Sequence, residues 1–184
     1  MPTPIGDAPA TGSAIQEKIG AAVRALIGKT LWRWTRAADM ACFDFGQRRL
    51  RLDRHGKERE IGEYALHVEC AWRMIEGDRV VVGRQDLYYP AEYDEGAPYP
   101  DNFDWEHDPN RHDKLLDILF KNCTREFLVA GVEVGAAGSF RLLLADKFSL
   151  EVIPTNSLVG EQWRLFEPGR EKQHFVVSGK DLGA

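Results

Sequence analysis

Residues 85–110 are rich in carboxylates and aromatic rings and contain no lysine or arginine. In a protein interface, rings supply buried contact area and charges steer a partner of opposite sign. The composition therefore predicts an acidic aromatic segment, residues 85–110, that binds a basic protein. The residues that we expect to make this contact are Glu92, Tyr93, Asp94, Glu95 and Trp105. The alternative is a solvated linker, marked by Pro90, Pro98 and Pro100, whose rings pack back on the rest of the fold.

A second candidate site lies in a strand predicted over residues 63–75. Side chains alternate between the two faces of a strand, so His67, Glu69 and Arg73 would share one face. The other face would carry apolar residues, namely Leu66, Val68, Cys70, Trp72 and Met74. An imidazole, a carboxylate and a guanidinium together could form a ligand-binding or general-base site, as in a small-molecule binder or a weak hydrolase. The alternative is a polar face held by ion pairs between strands.

Metal binding and nucleophilic catalysis have no local signature. Six residues could surround a metal, but they lack the glycine of an EF-hand loop and the HExxH spacing; they are Asp104, Glu106, His107, Asp108, His112 and Asp113. No GxSxG elbow is present. Cys42 and Cys70 lie in apolar strands and Cys123 follows a helix, none of which favours a thiolate. We therefore expect a non-enzymatic protein without a metal or cofactor.

Composition limits the partners and the location. A net charge of −5 argues against a general nucleic-acid binder, and no apolar run approaches the roughly 20 residues that span a membrane. Residues 1–12 lack the pattern of a secretory signal, and their proline, glycine and alanine content predicts a disordered tail. Three cysteines without CxxC spacing fit reduced thiols and hence a cytoplasmic protein.

The periodicity predicts two helices and several short strands. Ser13 and Gln16 form a capping box for a first helix that ends before Gly28, and Asp108 and Pro109 are expected to begin a second helix. Period-two patterns predict strands at 31–34, 40–45, 49–52, 63–75 and 79–82, and again at 127–134, 140–144, 150–153, 162–166 and 174–177. Short connections favour antiparallel pairing, and hence an α+β protein.

The two parts of the chain also resemble each other. The block that begins Trp72-Arg73 is repeated at Trp163-Arg164, and the Val81-Val82 pair is repeated at Val176-Val177. We interpret this as an internal duplication in which each half is a helix followed by a meander of about five strands. The predicted units are residues 13–89 and 108–182, with residues 90–107 as the acidic linker between them.

Three motifs carry a resemblance to a known family: the strand of residues 64–73 (YALHVECAWR), residues 138–142 (GSFRL) and residues 161–166 (EQWRLF), with Asp104-Trp105 in the linker. From about residue 28 to 182 the chain resembles a family of uncharacterised bacterial proteins. The resemblance implies a domain of unknown function and no activity. The C-terminal pattern "L-x-V … E-x-W-R-L" also resembles small β-rich proteins found beside bacterial toxins, some of which act as immunity proteins.

Overall fold

The computed structural model describes residues 11–53, 55–121, 127–170 and 174–182. Two α-helices, α1 (Thr11–Val23) and α2 (Arg111–Lys121), lie in these residues. The strands are β1 (Thr30–Ala37), β2 (Met40–Phe45), β3 (Arg49–Leu52), β4 (Glu58–Ile61), β5 (Tyr64–Val68), β6 (Ala71–Glu76), β7 (Arg79–Gly83), β8 (Phe127–Val134), β9 (Phe140–Leu144), β10 (Phe148–Ile153), β11 (Glu161–Phe166) and β12 (Phe175–Ser178). No helix in the described ranges is long and apolar enough to cross a membrane.

Ten of these strands form one antiparallel sheet, in the order β12-β11-β5-β2-β1-β8-β9-β10-β6-β7, and β3 and β4 form a separate hairpin. The centre of the sheet is narrow, because β1 and β8 pair only through Thr30 with Leu128 and Leu31 with Phe127. The sheet thus consists of two five-stranded half-sheets joined at this short seam. The predicted antiparallel α+β class is confirmed.

The connections between strands differ from the predicted pair of self-contained meanders. One half-sheet combines β1, β2 and β5 with the late hairpin of β11 and β12, and the other combines β8, β9 and β10 with the early hairpin of β6 and β7. Each half-sheet therefore contains three strands from one part of the chain and a hairpin from the other part. The chain crosses between the half-sheets after β5 and again after β10.

The prediction of a single strand over residues 63–75 is wrong, because this part of the chain forms two strands, β5 and β6, which lie in different half-sheets. The break falls at Glu69 and Cys70, whose N–H groups both donate to the carbonyl of Gln162, at 2.9 and 3.0 Å. The alternation continues through the break, because Leu66, Val68, Cys70, Trp72 and Met74 are all buried. Both half-sheets face a common core, so the burial pattern gives no sign of the crossing.

Two tryptophan contacts join the half-sheets across this core. Trp72 on β6 packs edge-to-face on Phe43 of β2, with ring centroids 5.1 Å apart. Trp163 on β11 packs on Phe140 of β9 at 4.8 Å, and its Nε1 donates to the carbonyl of Gly138 at 2.9 Å. Both tryptophans are buried, and such ring pairs contribute about 0.5–1.5 kcal/mol beyond their buried area.

The first helix follows the sequence prediction closely. It buries Ile19 and Val23 and continues into a 3₁₀ turn, Arg24–Leu26, before Gly28 adopts a positive φ of 78°. The helix begins at Thr11 rather than at Ser13, a difference within the usual scatter of helix ends. Of the predicted tail, residues 1–10 lie outside the described residues, and residues 11 and 12 are helical.

Candidate functional site

The acidic aromatic segment closes on itself at a neck of backbone hydrogen bonds. The N–H of Arg111 donates to the carbonyl of Tyr89 at 2.8 Å, and the N–H of Ala91 donates to the carbonyl of Pro109 at 2.9 Å. Pro90 and Asn110 form an isolated β-bridge between these two bonds. A segment whose ends meet in this way is a closed loop, presented at one place on the surface.

Asn110 at this neck also begins α2. Its side-chain Oδ1 accepts the N–H of Asp113 at 2.9 Å, which makes Asn110 the N-cap residue. The prediction of Asp108 as the cap was wrong, because the carboxylate of Asp108 instead accepts the N–H of Asp104 at 2.9 Å within the loop. The carbonyl of the neighbouring Pro109 is used in the neck.

The aromatic rings of the segment pack on one another. Tyr89, Tyr93 and Tyr99 form a three-ring cluster with centroid separations of 5.0, 6.0 and 6.1 Å. Tyr88 packs on Trp105 with ring centroids 5.6 Å apart, and Trp105 is half-buried. Tyr89 and Tyr99 remain 39% and 47% exposed. The ring packing gives the loop its shape and still presents tyrosine surface to solvent.

Two of the carboxylates inside the loop are paired with basic side chains, and Asp86 at its base is paired with Arg111. Lys114 of α2 donates to Glu92 at 2.6 Å, and His107 contacts Asp104 at 2.8 Å. The hydrogen bond with Asp104 raises the pKa of His107. The other exposed carboxylates have no ion pair within the described residues; they are Asp94, Glu95, Asp101, Glu106 and Asp108.

A cleft of about 410 Å³ lies at the base of the loop, lined by Asp86, Tyr89, Tyr93, Glu95 and Arg111. The Nε of Arg111 donates to Oδ1 of Asp86 at 3.0 Å, and Oδ2 of Asp86 accepts the N–H of Gly83 at 2.8 Å. The sequence predicted Tyr93 and Glu95 as contact residues. Arg111 and Asp86 were missed, because Arg111 lies beyond the end of the segment and Asp86 carried no signal beyond its charge.

The structure does not bring His67, Glu69 and Arg73 together. His67 is on β5, Glu69 is exposed in the crossing, and Arg73 is on β6, which is not a neighbour of β5 in the sheet. The Nε of Arg73 donates to Glu151 of β10 at 2.6 Å. Arg73 thus takes part in an ion pair between strands, as in the alternative interpretation of that polar face.

His67 instead lies in a row of polar residues that crosses four strands. Its neighbours in register are Cys42 on β2 and Arg164 on β11, and Thr35 on β1 lies opposite Cys42. Burial raises the pKa of the Cys42 thiol to about 11. Burial also lowers the pKa of His67, and the charge of Arg164 lowers it further. Both groups are therefore neutral at pH 7, and the pair lacks the thiolate that nucleophilic catalysis requires.

A third polar group, around Asp113, holds the start of α2 against the core. The imidazole of His112 is buried between the rings of Trp34 and Trp72, each with its centroid 5.4 Å away. Asp113 contacts His112 at 2.8 Å and accepts from the Nε of Arg36 at 3.0 and 3.1 Å. The carboxylate of Asp113 is therefore engaged by neighbouring side chains of the protein. Among the described residues, no three His, Cys, Asp or Glu side chains are arranged to hold a metal ion.

A scan against protein-family models finds no match to this chain. Searches of curated proteins and of solved structures also find none.

Proposed function

We propose that this protein is a non-enzymatic binding protein whose acidic aromatic segment recognises a basic protein. The observation that carries the proposal is the closed shape of the segment: its neck and its ring packing hold unpaired carboxylates and exposed tyrosine surface on one loop. A solvated spacer has no need of a paired neck. Conformational order before binding reduces the entropy lost on association, which favours a preformed binding loop.

The charge distribution supports a basic partner. Asp94, Asp101 and Glu106 are exposed and have no ion pair within the described residues. Charges of this kind act mainly on the association rate and do so over a Debye length of about 10 Å at 0.1 M salt. Exposed tyrosines supply contact area that slows dissociation.

The test distinguishes an effect of the carboxylates on the loop from an effect of the net negative charge of the whole protein. In one full-length variant Asp94→Asn, Asp101→Asn and Glu106→Gln are combined, and in a matched control Glu58→Gln, Glu60→Gln and Glu133→Gln are combined. The two sets remove the same charge, and all six residues are exposed. Wild type and both variants serve as bait in lysate of the source cells, and association rates are then measured with the purified partner.

We expect the loop variant to associate about tenfold more slowly at low salt than the control, because it loses electrostatic steering. The difference should vanish near 1 M salt, where the Debye length is about 3 Å. If both variants retrieve the same partners equally well at every salt concentration, the loop does not recognise a basic protein.

The alternative of a small-molecule binder or weak hydrolase at His67, Glu69 and Arg73 has no such support. His67 and Arg73 lie on strands that are not neighbours, Glu69 lies in the crossing between them, and Arg73 is engaged by Glu151.

We also infer that the two parts of the chain are an internal duplication whose last hairpins are exchanged between half-sheets. The sheet order supports this, because β11 is the second strand from one edge of the sheet and β6 is the second strand from the other edge. Trp72 pairs with Val152, and Trp163 pairs with Val68. The outer hairpins differ in register, because Val82 lies opposite Met74 whereas Val177 lies opposite Trp163.

Local irregularities recur in the same places and also support a duplication. A bulge lies between Leu31 and Arg33 where β1 pairs with β2, and another lies between Val129 and Gly131 where β8 pairs with β9. The turns that follow have Ala38 and Ala137 at φ values of 53° and 51°. Superposition in a crystal structure is the test, with Trp72 falling on Trp163. A different succession of strands in the two parts would contradict the inference.

Two further proposals concern family and location. Membership of the resembled bacterial family rests on the sequence motifs at residues 64–73, 138–142 and 161–166; an alignment of that family in which Trp72 and Trp163 vary freely would oppose it. A cytoplasmic location is supported by the free thiols of Cys42 and Cys70. Recovery of the protein outside the cytoplasmic fraction of the source cells would contradict it.

A further inference from the structure

We propose that the cleft at the base of the acidic aromatic segment receives a lysine or arginine side chain of the partner. This inference rests on the proposed function and assigns the anchoring contact within it. The cleft is lined by Asp86, Tyr89, Tyr93, Glu95 and Arg111, and its volume is about 410 Å³.

The charged residues of the cleft differ in whether they already have partners within the protein. Asp86 and Arg111 are paired at 3.0 Å, and the second oxygen of Asp86 accepts the N–H of Gly83 at 2.8 Å. This pair also fixes the neck, because Arg111 donates its backbone N–H to Tyr89. Asp86 and Arg111 therefore already have partners within the fold. Glu95 is the carboxylate of the cleft lining that has no ion pair in the part of the chain that the structure describes.

The rings give the cleft a preference for a cation. Tyr89 and Tyr93 pack on each other with centroids 5.0 Å apart, and both line the cleft. The face of an aromatic ring attracts a guanidinium or ammonium group, and an adjacent carboxylate adds a charge-assisted hydrogen bond. With two carboxylates and one guanidinium, the lining carries one net negative charge, so an anion would be repelled where a cation is attracted.

The planar guanidinium fits this site better than an ammonium group. It can stack on a tyrosine ring and donate two parallel hydrogen bonds to one carboxylate, whereas an ammonium group acts as a point charge. We therefore expect arginine to bind more tightly than lysine.

The experiment uses the full chain and three fluorescein-labelled peptides, hexa-arginine, hexa-lysine and the neutral hexa-citrulline, with binding measured by fluorescence anisotropy. Glu95→Gln is compared with Asp101→Asn, which removes the same charge from the loop outside the lining of the cleft. Tyr93→Leu is compared with Tyr93→Phe, which keeps the ring face. Circular dichroism checks that each variant is folded.

We expect Glu95→Gln to weaken hexa-arginine binding about tenfold, a cost of about 1.4 kcal/mol, and Asp101→Asn to weaken it less than about twofold. Tyr93→Leu should weaken binding and Tyr93→Phe should retain it. If Glu95→Gln and Asp101→Asn weaken binding equally and both Tyr93 variants match wild type, the loop binds cations diffusely; the cleft proposal fails and the proposed function stands. If the wild type binds hexa-citrulline as well as hexa-arginine, or binds none of the peptides, the loop has no affinity for cations and both proposals fail.

Discussion

At the scale of single residues, Asp113 joins α2 to the sheet. Its carboxylate contacts His112, accepts two hydrogen bonds from Arg36 of β1 and accepts one from the Nδ2 of Asn110 at 3.2 Å. Burial acts to raise the pKa of Asp113, but the hydrogen bonds from His112 and Arg36 outweigh it, so the pKa lies below its usual value. The charged form is therefore the one that the fold stabilises.

The first prediction concerns acid sensitivity at Asp113. A carboxylate with a lowered folded-state pKa stabilises the fold above its unfolded pKa, about 3.9, and this stabilisation is lost as pH falls through the folded-state pKa. Asp113→Asn should lower the free energy of unfolding by about 1–3 kcal/mol at pH 7. The deficit relative to wild type should shrink as pH falls from about 5 to 3.

Chemical denaturation at a series of pH values provides this measurement. Asp117→Asn is the matched control, because Asp117 lies one turn along the same helix and pairs with Lys121 at the surface. The control should keep the acid dependence of the wild type. A deficit for Asp113→Asn that stays constant from pH 7 to 3 would show that the ionised carboxylate is not what stabilises this group.

At the scale of secondary-structure elements, α2 depends on the neck of the loop for its start. Asn110 is 2% exposed, caps the helix through Asp113, and donates from its Nδ2 to the carbonyl of Trp105 at 3.4 Å. The same residue bridges to Pro90. The acidic aromatic segment and α2 are therefore coupled through one amide side chain.

The second prediction follows from this cap. Asn110→Ala should lower the free energy of unfolding by about 1–2 kcal/mol, since it removes the cap and leaves the N–H of Asp113 without its acceptor. Asp108→Ala, at the position that the sequence favours as the cap, should change it by less than about 0.5 kcal/mol. Thermal or urea denaturation of both variants distinguishes the two positions. A loss for Asp108→Ala that exceeds the loss for Asn110→Ala would contradict the assignment of Asn110 as the cap.

At the scale of the whole molecule, the hairpins β6-β7 and β11-β12 interlock the two parts of the chain. β6 pairs with β10, and β11 pairs with β5, so each hairpin is hydrogen-bonded to a strand from the other part. Trp72 and Trp163 anchor these hairpins in a common core. Neither part can complete its half-sheet alone.

The third prediction is that the chain folds from two fragments only when both are present. Residues 1–106 and residues 107–184, separated within the exposed loop, should each lack a cooperative unfolding transition, because each leaves a hairpin and a half-sheet without partners. Mixed in equal amounts they should form a complex of one copy each with a single transition, followed by circular dichroism and light scattering.

The control for this experiment is the intact chain with a protease site inserted after Glu106 and cleaved after folding. It should remain folded, since the cut removes no pairing between strands. Cooperative unfolding of either fragment alone would show that one part of the chain is a self-sufficient domain.

The sequence by itself determined which side chains face the core. The period-two patterns predicted β2 and β8 with their observed limits, Met40–Phe45 and Phe127–Val134. They also identified Leu66, Val68, Trp72 and Met74 as buried. This information is local, because alternation along a strand fixes which face is apolar. The acidic and aromatic composition of the loop was likewise evident from the sequence.

Only the tertiary structure decided which strands are neighbours. The crossing at Glu69 and Cys70 is absent from the sequence pattern because both half-sheets bury their inner faces in one core. It separates His67 from Arg73 and places His67 beside Cys42 and Arg164. The cleft depends in the same way on Arg111, which the folded neck brings back to Asp86. Pairing between distant strands is a property of the whole chain, and a pattern read along one segment encodes burial without encoding a partner.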